Sequence, residues 1–235
     1  MVQGLDSTKI LKTARRLHQR MQERFPERGL TDLGDRVNQV AVETAAVSLW
    51  LRRPIWWHRV LATSVILLIA GLLVGVFTYV RTSFGEMDLQ ELLQTVEAGV
   101  NDLIFLAIAI YFFVNLERRY KRRRALKMLH ELRSLAHIVD MHQLTKDPDS
   151  LAQQAHRTES SPERDLTSYE LKRYFDYCSE MLSIISKLAA LLVQHFDDPV
   201  TLQAVNEVET LTSGLSRKIW QKIMIASQQE ETGSA

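Results

Sequence analysis

The feature that most constrains this chain is the run from Val60 to Val80, VLATSVILLIAGLLVGVFTYV, 21 residues without a charged side chain. As a helix rising about 1.5 Å per residue it reaches roughly 30 Å, the hydrocarbon thickness of a bilayer. A helix apolar on every side needs apolar surroundings on every side, which means a deep core or lipid. A second run follows at Val100 to Leu116, VNDLIFLAIAIYFFVNL, 17 residues with Asn101 and Asp102 near its start. It spans if those two sit at the headgroup level. The pair predicts a two-helix transmembrane hairpin.

Basic residues close to the spans orient it, since Lys and Arg are retained on the cytoplasmic side. Arg52, Arg53 and Arg59 precede the first span, and Arg118, Arg119, Lys121, Arg122, Arg123 and Arg124 follow the second. Between them stands only Arg81, against Glu86, Asp88, Glu91 and Glu97. Both termini are therefore expected in the cytoplasm; in a bacterium the membrane would be the inner one. Trp56, Trp57 and Tyr79 near the ends of the first span fit interfacial anchors. The first 55 residues hold no apolar stretch of signal-peptide type, and Met1-Val2 offers no myristoylation glycine.

Outside the hairpin every periodic segment is helical. Ile10, Ala14, Leu17, Met21 and Phe25 recur at spacings of 4, 3, 4 and 4, ended by Pro26 and Gly29. Leu33, Val37, Val40, Thr44, Val47 and Leu51 form the next stripe. No Pro or Gly occurs from Val100 to Lys146, so the second span should continue as one long helix, with Met128, Leu132, Leu135 and Val139 as its apolar face. From Asp147 the chain turns polar and aperiodic, DPDSLAQQAHRTESSPERD, and reads as a linker. Thr167 and Glu170 make a capping box. After it Leu171, Phe175, Cys178, Leu182, Ile185, Ala189, Leu192 and Phe196 alternate 4, 3, with a parallel stripe of Tyr174, Tyr177, Met181, Ile184, Leu188 and Leu191. Such a helix should be covered on two sides. Asp198 and Pro199 open a last helix with stripe Leu202, Val205, Val208, Leu215, Ile219 and Ile223.

The expected architecture is thus all-α, a transmembrane hairpin with a cytoplasmic helical bundle. Residues 1–57 form an N-terminal helical hairpin, 58–117 the membrane hairpin with spans about 60–80 and 100–116, and 118–146 the extension of the second span. Residues 147–166 are a linker, 167–227 a helical pair and 228–235 a frayed tail.

Three stretches, ERFPERGL at Glu23 to Leu30, HELRSLAHIVDMHQLTKDP at His130 to Pro148 and GLSRKIWQKI at Gly214 to Ile223, resemble a family of uncharacterised bacterial two-span inner-membrane proteins. The resemblance implies that topology. No activity is attached to the family, so it transfers no functional residue.

The chemistry-bearing candidates are few. The chain has no strand hairpin, Gly-rich phosphate loop, Cys-x-x-Cys pair or nucleophile elbow, so neither an enzyme nor a bound cofactor is expected. The one cysteine, Cys178, excludes an internal disulfide and fits a reducing compartment. With 29 Lys and Arg against 28 Asp and Glu, overall charge points to no polyanionic partner. His130, Arg133, His137 and Asp140 fall within an arc of about 80° on the helix away from Met128 and Leu132. His130, His137 and Asp140 are of the right types for a metal ion, although positions seven apart stand about 10.5 Å apart along the axis. The same stripe reads as a pH-sensitive contact of His137 and Asp140 between subunits, or as a solvated face. Asn101 and Asp102 either cap a helix start or ring the mouth of an oligomeric pore. Gly71 and Gly75 form a small-xxx-small patch permitting close helix approach between copies. Arg118 to Arg124, RRYKRRR, would meet anionic lipid headgroups, and its place at the membrane with no aromatic platform beside it argues against nucleic acid.

The function these features favour is a non-enzymatic, homo-oligomeric membrane module whose cytoplasmic bundle binds a protein partner or senses a condition. An ion-conducting pore with Asp102 at its mouth and a metal-dependent enzyme using the histidine stripe are the alternatives.

Overall fold

The computed structural model describes residues 4–26, 29–83, 89–144, 146 and 166–233. The linker at 147–165, and Glu86 and Asp88, lie outside them, as do the side chains of Trp57, Arg59 and Tyr79. The described residues are all-helical, without a strand, in six helices: α1 Ser7–Arg24, α2 Gly29–Arg52, α3 Trp56–Ser83, α4 Leu89–Leu144, α5 Ser168–Val193 and α6 Pro199–Gly233. They divide into two compact units, one of 1–52 with 124–235 and one of 53–123.

The larger unit is a bundle in which α1, α2, the C-terminal part of α4, α5 and α6 share one apolar core. Helix α1 starts where the Asp6 carboxylate accepts from the Thr8 amide at 2.9 Å, leaving four apolar residues at one face to be buried: Ile10, Ala14, Leu17 and Met21. Phe25 closes it, its amide donating to Met21 O at 2.8 Å. Gly29, expected to end α1, instead opens α2. A Cβ on Gly34 would lie 2.8 Å from Met21 Cε, so the missing side chain there sets the close approach of α2 to α1.

Helix α5 is the centre. The Thr167–Glu170 capping box forms as expected, with Thr167 N donating to Glu170 Oε2 at 2.8 Å. Both stripes of α5 are buried, Leu182, Ile185 and Leu188 completely. Helices α1, α2 and α6 all pack against it, which is why a single helix carries two apolar stripes. The residues that join these helices lie far apart in sequence. Ser48 Oγ donates to Leu191 O at 2.9 Å, Arg20 pairs with Glu180, and Phe25 meets the ring edges of Tyr174 and Tyr177. The N-terminal hairpin and the C-terminal pair are therefore parts of one bundle rather than separate segments.

Helix α4 contributes Met128, Leu132, Leu135 and Val139 to the core, all buried as expected. Its C-terminal carbonyls are capped from two neighbours: Lys222 Nζ donates to Gln143 O at 2.9 Å and Tyr174 Oη to His142 O at 3.1 Å. A cation at this end also complements the helix dipole. In α6, Asp198 acts as the N-cap, accepting from Thr201 N at 3.1 Å. Val205, Val208, Leu215 and Ile219 are buried, but Leu202 is 46% exposed, since it lies on the outer side of the first turn. The expected frayed tail is instead helical to Gly233.

Candidate functional site

The second unit, 53–123, holds α3 and the first part of α4. Among the described residues one helical segment, within Gly99–Leu144, is long and apolar enough to cross a membrane, and none of its apolar window is buried; Thr63–Thr78 is a shorter apolar run. Large apolar side chains of both helices point outward, Leu68 at 70%, Phe77 at 67% and Phe105 at 72% exposure.

Helix α4 begins at Leu89, some three turns before the apolar run. Asn101 and Asp102 consequently lie inside the helix, both exposed, and do not cap its start. The extra turns form because the acidic stretch Glu91 to Glu97 contains neither Pro nor Gly and can simply propagate the helix. Gly71 and Gly75 are exposed, and a Cβ on either would meet nothing within 4 Å. Among the described residues nothing covers their small-residue patch.

The basic run at the end of this unit is not one uniform cationic surface. Lys121 is buried, its ammonium 2.8 Å from Glu117 Oε1. Glu117 Oε1 also accepts from the backbone amide of Ile55 at 3.2 Å, so one carboxylate ties the residue before α3 to α4. This bond is available because Pro54 begins no helix and leaves the next amide without an intrahelical acceptor. Arg119 lies 5.7 Å from the Phe112 ring. Arg118, Arg119 and Arg123 are exposed and Arg122 is partly buried. In the bundle, Arg124 stacks 4.9 Å from the Trp50 ring, a cation–π contact that the sequence spacing does not reveal.

On the bundle part of α4, His130 and His137 are exposed. Asp140 is partly buried and accepts from Gln143 Nε2 on its own helix at 2.5 Å. Among the described residues no group of three His, Cys, Asp or Glu side chains could hold a metal ion. The structure thus places His130, His137 and Asp140 along one helix without adding a ligand from another.

Sequence reasoning passed over a cluster of cations and aromatics between α1 and α5. Arg24 Nη1 donates to Tyr169 Oη at 3.2 Å and lies 5.4 Å over its ring. That hydrogen bond holds the Tyr169 phenol below its ordinary pKa and raises that of Arg24. Arg20 lies 5.7 Å over Tyr177. The signal was the density of basic residues in α1, visible in the sequence but without the partners that give it meaning. Cys178 is fully buried, and desolvation pushes its thiol up to about 12, leaving it protonated and unreactive near neutral pH. No family profile, curated protein or solved structure matches the chain.

Proposed function

We propose that this chain is a non-enzymatic integral protein of the bacterial inner membrane, an oligomeric module that anchors a cytoplasmic interaction or sensing bundle. The observation that carries this is the outward-facing apolar surface of α3 and α4. Side chains such as Leu67, Leu68, Val74, Phe77, Phe105 and Ile108 are each at least 60% exposed in a unit that has its own compact cluster. Exposed to water, an apolar surface of that extent costs about 25 cal/mol per Å² and drives aggregation; lipid removes the penalty. The bias of basic residues toward 52–59 and 118–124 supports a cytoplasmic bundle. Arg118, Arg119 and Arg123 then face anionic headgroups, while the open Gly71 and Gly75 patch accommodates a second copy.

Alkaline carbonate extraction of membranes tests the anchor: the protein should remain in the pellet, and release into the supernatant would refute integral insertion. Reporters active only in the cytoplasm should work when fused after Ala235 and fail when inserted near Glu86. Gly71→Leu with Gly75→Leu should lower the mass measured by light scattering in detergent. An unchanged mass would remove these glycines from the assembly.

A further inference from the structure

Helix α1 carries six basic residues and one acidic one, whereas α2 holds two basic and three acidic residues, α5 three of each, α6 three and four, and the bundle part of α4, 124–144, three and two. At 100° per residue Lys9, Lys12, Arg16 and Arg20 fall within an arc of about 80°, turned away from the buried Ile10, Ala14, Leu17 and Met21, with Arg15 about 60° beyond Lys12. Arg20 is engaged by Glu180 and Arg24 by Tyr169. Lys12, Arg15 and Arg16 are exposed and have no carboxylate within ion-pair distance among the described residues. Thr13, Arg16, Gln19, Arg20 and Glu23 line a shallow open groove along the same face, Glu23 being the single negative charge there.

The stability of the bundle does not account for this row. Like charges three and four apart weaken a helix, and the one carboxylate at the start of α1, Asp6, is engaged by Thr8. From these observations we infer that the outer face of α1 is a docking surface for an acidic helical segment of a partner protein. Carboxylates repeating at i, i+3, i+4 and i+7 on such a segment would match Lys9, Lys12 and Arg16, and the arginine forks suit carboxylates. A membrane surface fits less well, because no large apolar side chain of α1 is exposed to insert between lipids. Nucleic acid fits less well because α1 offers no Phe, Tyr or Trp on which bases could stack. This assignment rests on the proposed role of the bundle as an interaction module and specifies the chemistry of the partner.

The test uses the full chain in neutral detergent and a fluorescein-labelled helical peptide with glutamates at i, i+3, i+4 and i+7, read by anisotropy. Binding is expected to weaken steeply as salt is raised from about 50 to 300 mM. Lys12→Glu with Arg16→Glu should weaken it at least about tenfold, and Lys12→Gln with Arg16→Gln by less. Arg217→Glu with Lys218→Glu, a reversal of equal size on exposed positions of α6, should leave it unchanged. A lysine version of the peptide should bind the Lys12→Glu, Arg16→Glu protein better than the wild type, which also demonstrates that this variant is folded. The proposal is overturned if the acidic peptide does not bind, or if the α6 reversal weakens binding as much as the α1 reversal. It is equally overturned if phosphatidylglycerol vesicles or duplex DNA bind through Lys12 and Arg16 more tightly than the peptide. Carbonate extraction is independent of this titration, so a protein that stays in the membrane pellet but ignores the peptide loses the α1 assignment and keeps its anchor.

Discussion

Replacing Phe25 probes how α1 is held to α5. The side chain is 1% exposed, and its ring meets Tyr174 at 6.0 Å and 75° and Tyr177 at 6.1 Å and 89°, both edge-to-face. Each such pair contributes about 0.5–1.5 kcal/mol beyond area burial. Phe25→Leu, which retains most of the apolar volume and loses both ring contacts, should therefore cost about 1–3 kcal/mol. Phe25→Ala adds the lost transfer energy and a cavity and should cost about 3–5 kcal/mol. The hydrogen bonds at this helix end use the Phe25 backbone, which donates to Met21 O at 2.8 Å and accepts from Thr31 Oγ1 at 2.6 Å, so both variants keep them. Urea unfolding in neutral detergent, followed by circular dichroism at 222 nm, measures the difference. For a chain of this length the Ala variant should melt roughly 6–20 °C lower. An Ala variant within about 0.5 kcal/mol of wild type, or a Leu variant as unstable as Ala, would refute the idea that the paired aromatic rings clamp α1 to α5.

Leu182→Ala and Ile185→Ala, each at a fully buried site on α5, should cost about 2–5 kcal/mol apiece; two near-silent substitutions would show that the stripe is not core. Cys178 should resist a thiol reagent at pH 8 until the protein is unfolded, and rapid native labelling would contradict its burial. Because its thiol ionises near 12 when folded and near 9.0 when unfolded, its contribution is complete below pH 9 and is lost as pH rises toward 12. The loss is about 1.4 kcal/mol per pH unit across that window; Cys178→Ala should not show it, so the stability difference between wild type and Cys178→Ala should change with pH there, and parallel curves would contradict the shift. His137→Ala should change stability by no more than about 0.5 kcal/mol. Asp140→Ala, which strips the buried Gln143 amide of its acceptor, should cost about 1 kcal/mol. With Asp140 engaged on its own helix, the oligomer mass should be the same at pH 5.5 and 8, and a pH-dependent mass lost in His137→Ala would restore the subunit-contact role.

Helix faces and the starts of α5 and α6 were legible in the sequence because both are local, whereas Gly29 opens α2 and Leu89 opens α4 against expectation. The 4, 3 alternation from Leu171 to Phe196 specifies which side of α5 avoids water whatever covers it. Thr167 with Glu170, and Asp198 before Pro199, satisfy backbone donors within three residues. Two apolar stripes on one helix even announced that two neighbours would be needed. The identity of those neighbours was not legible, since periodicity carries no label for its partner: α1 and α2 meet α5 across about 150 positions of sequence, through contacts such as Ser48 with Leu191 and Phe25 with Tyr174. The same limit governed charge. A count along the chain made RRYKRRR a single basic cluster, whereas packing buries Lys121 against Glu117, stacks Arg124 on Trp50 and gives Lys12, Arg15 and Arg16 of the bundle's first helix no carboxylate partner among the described residues. Which side chains bury their own apolar face is decided by spacing along one helix; which charges stay free is decided by what the other helices bring within a few ångströms, and only the tertiary structure determines that.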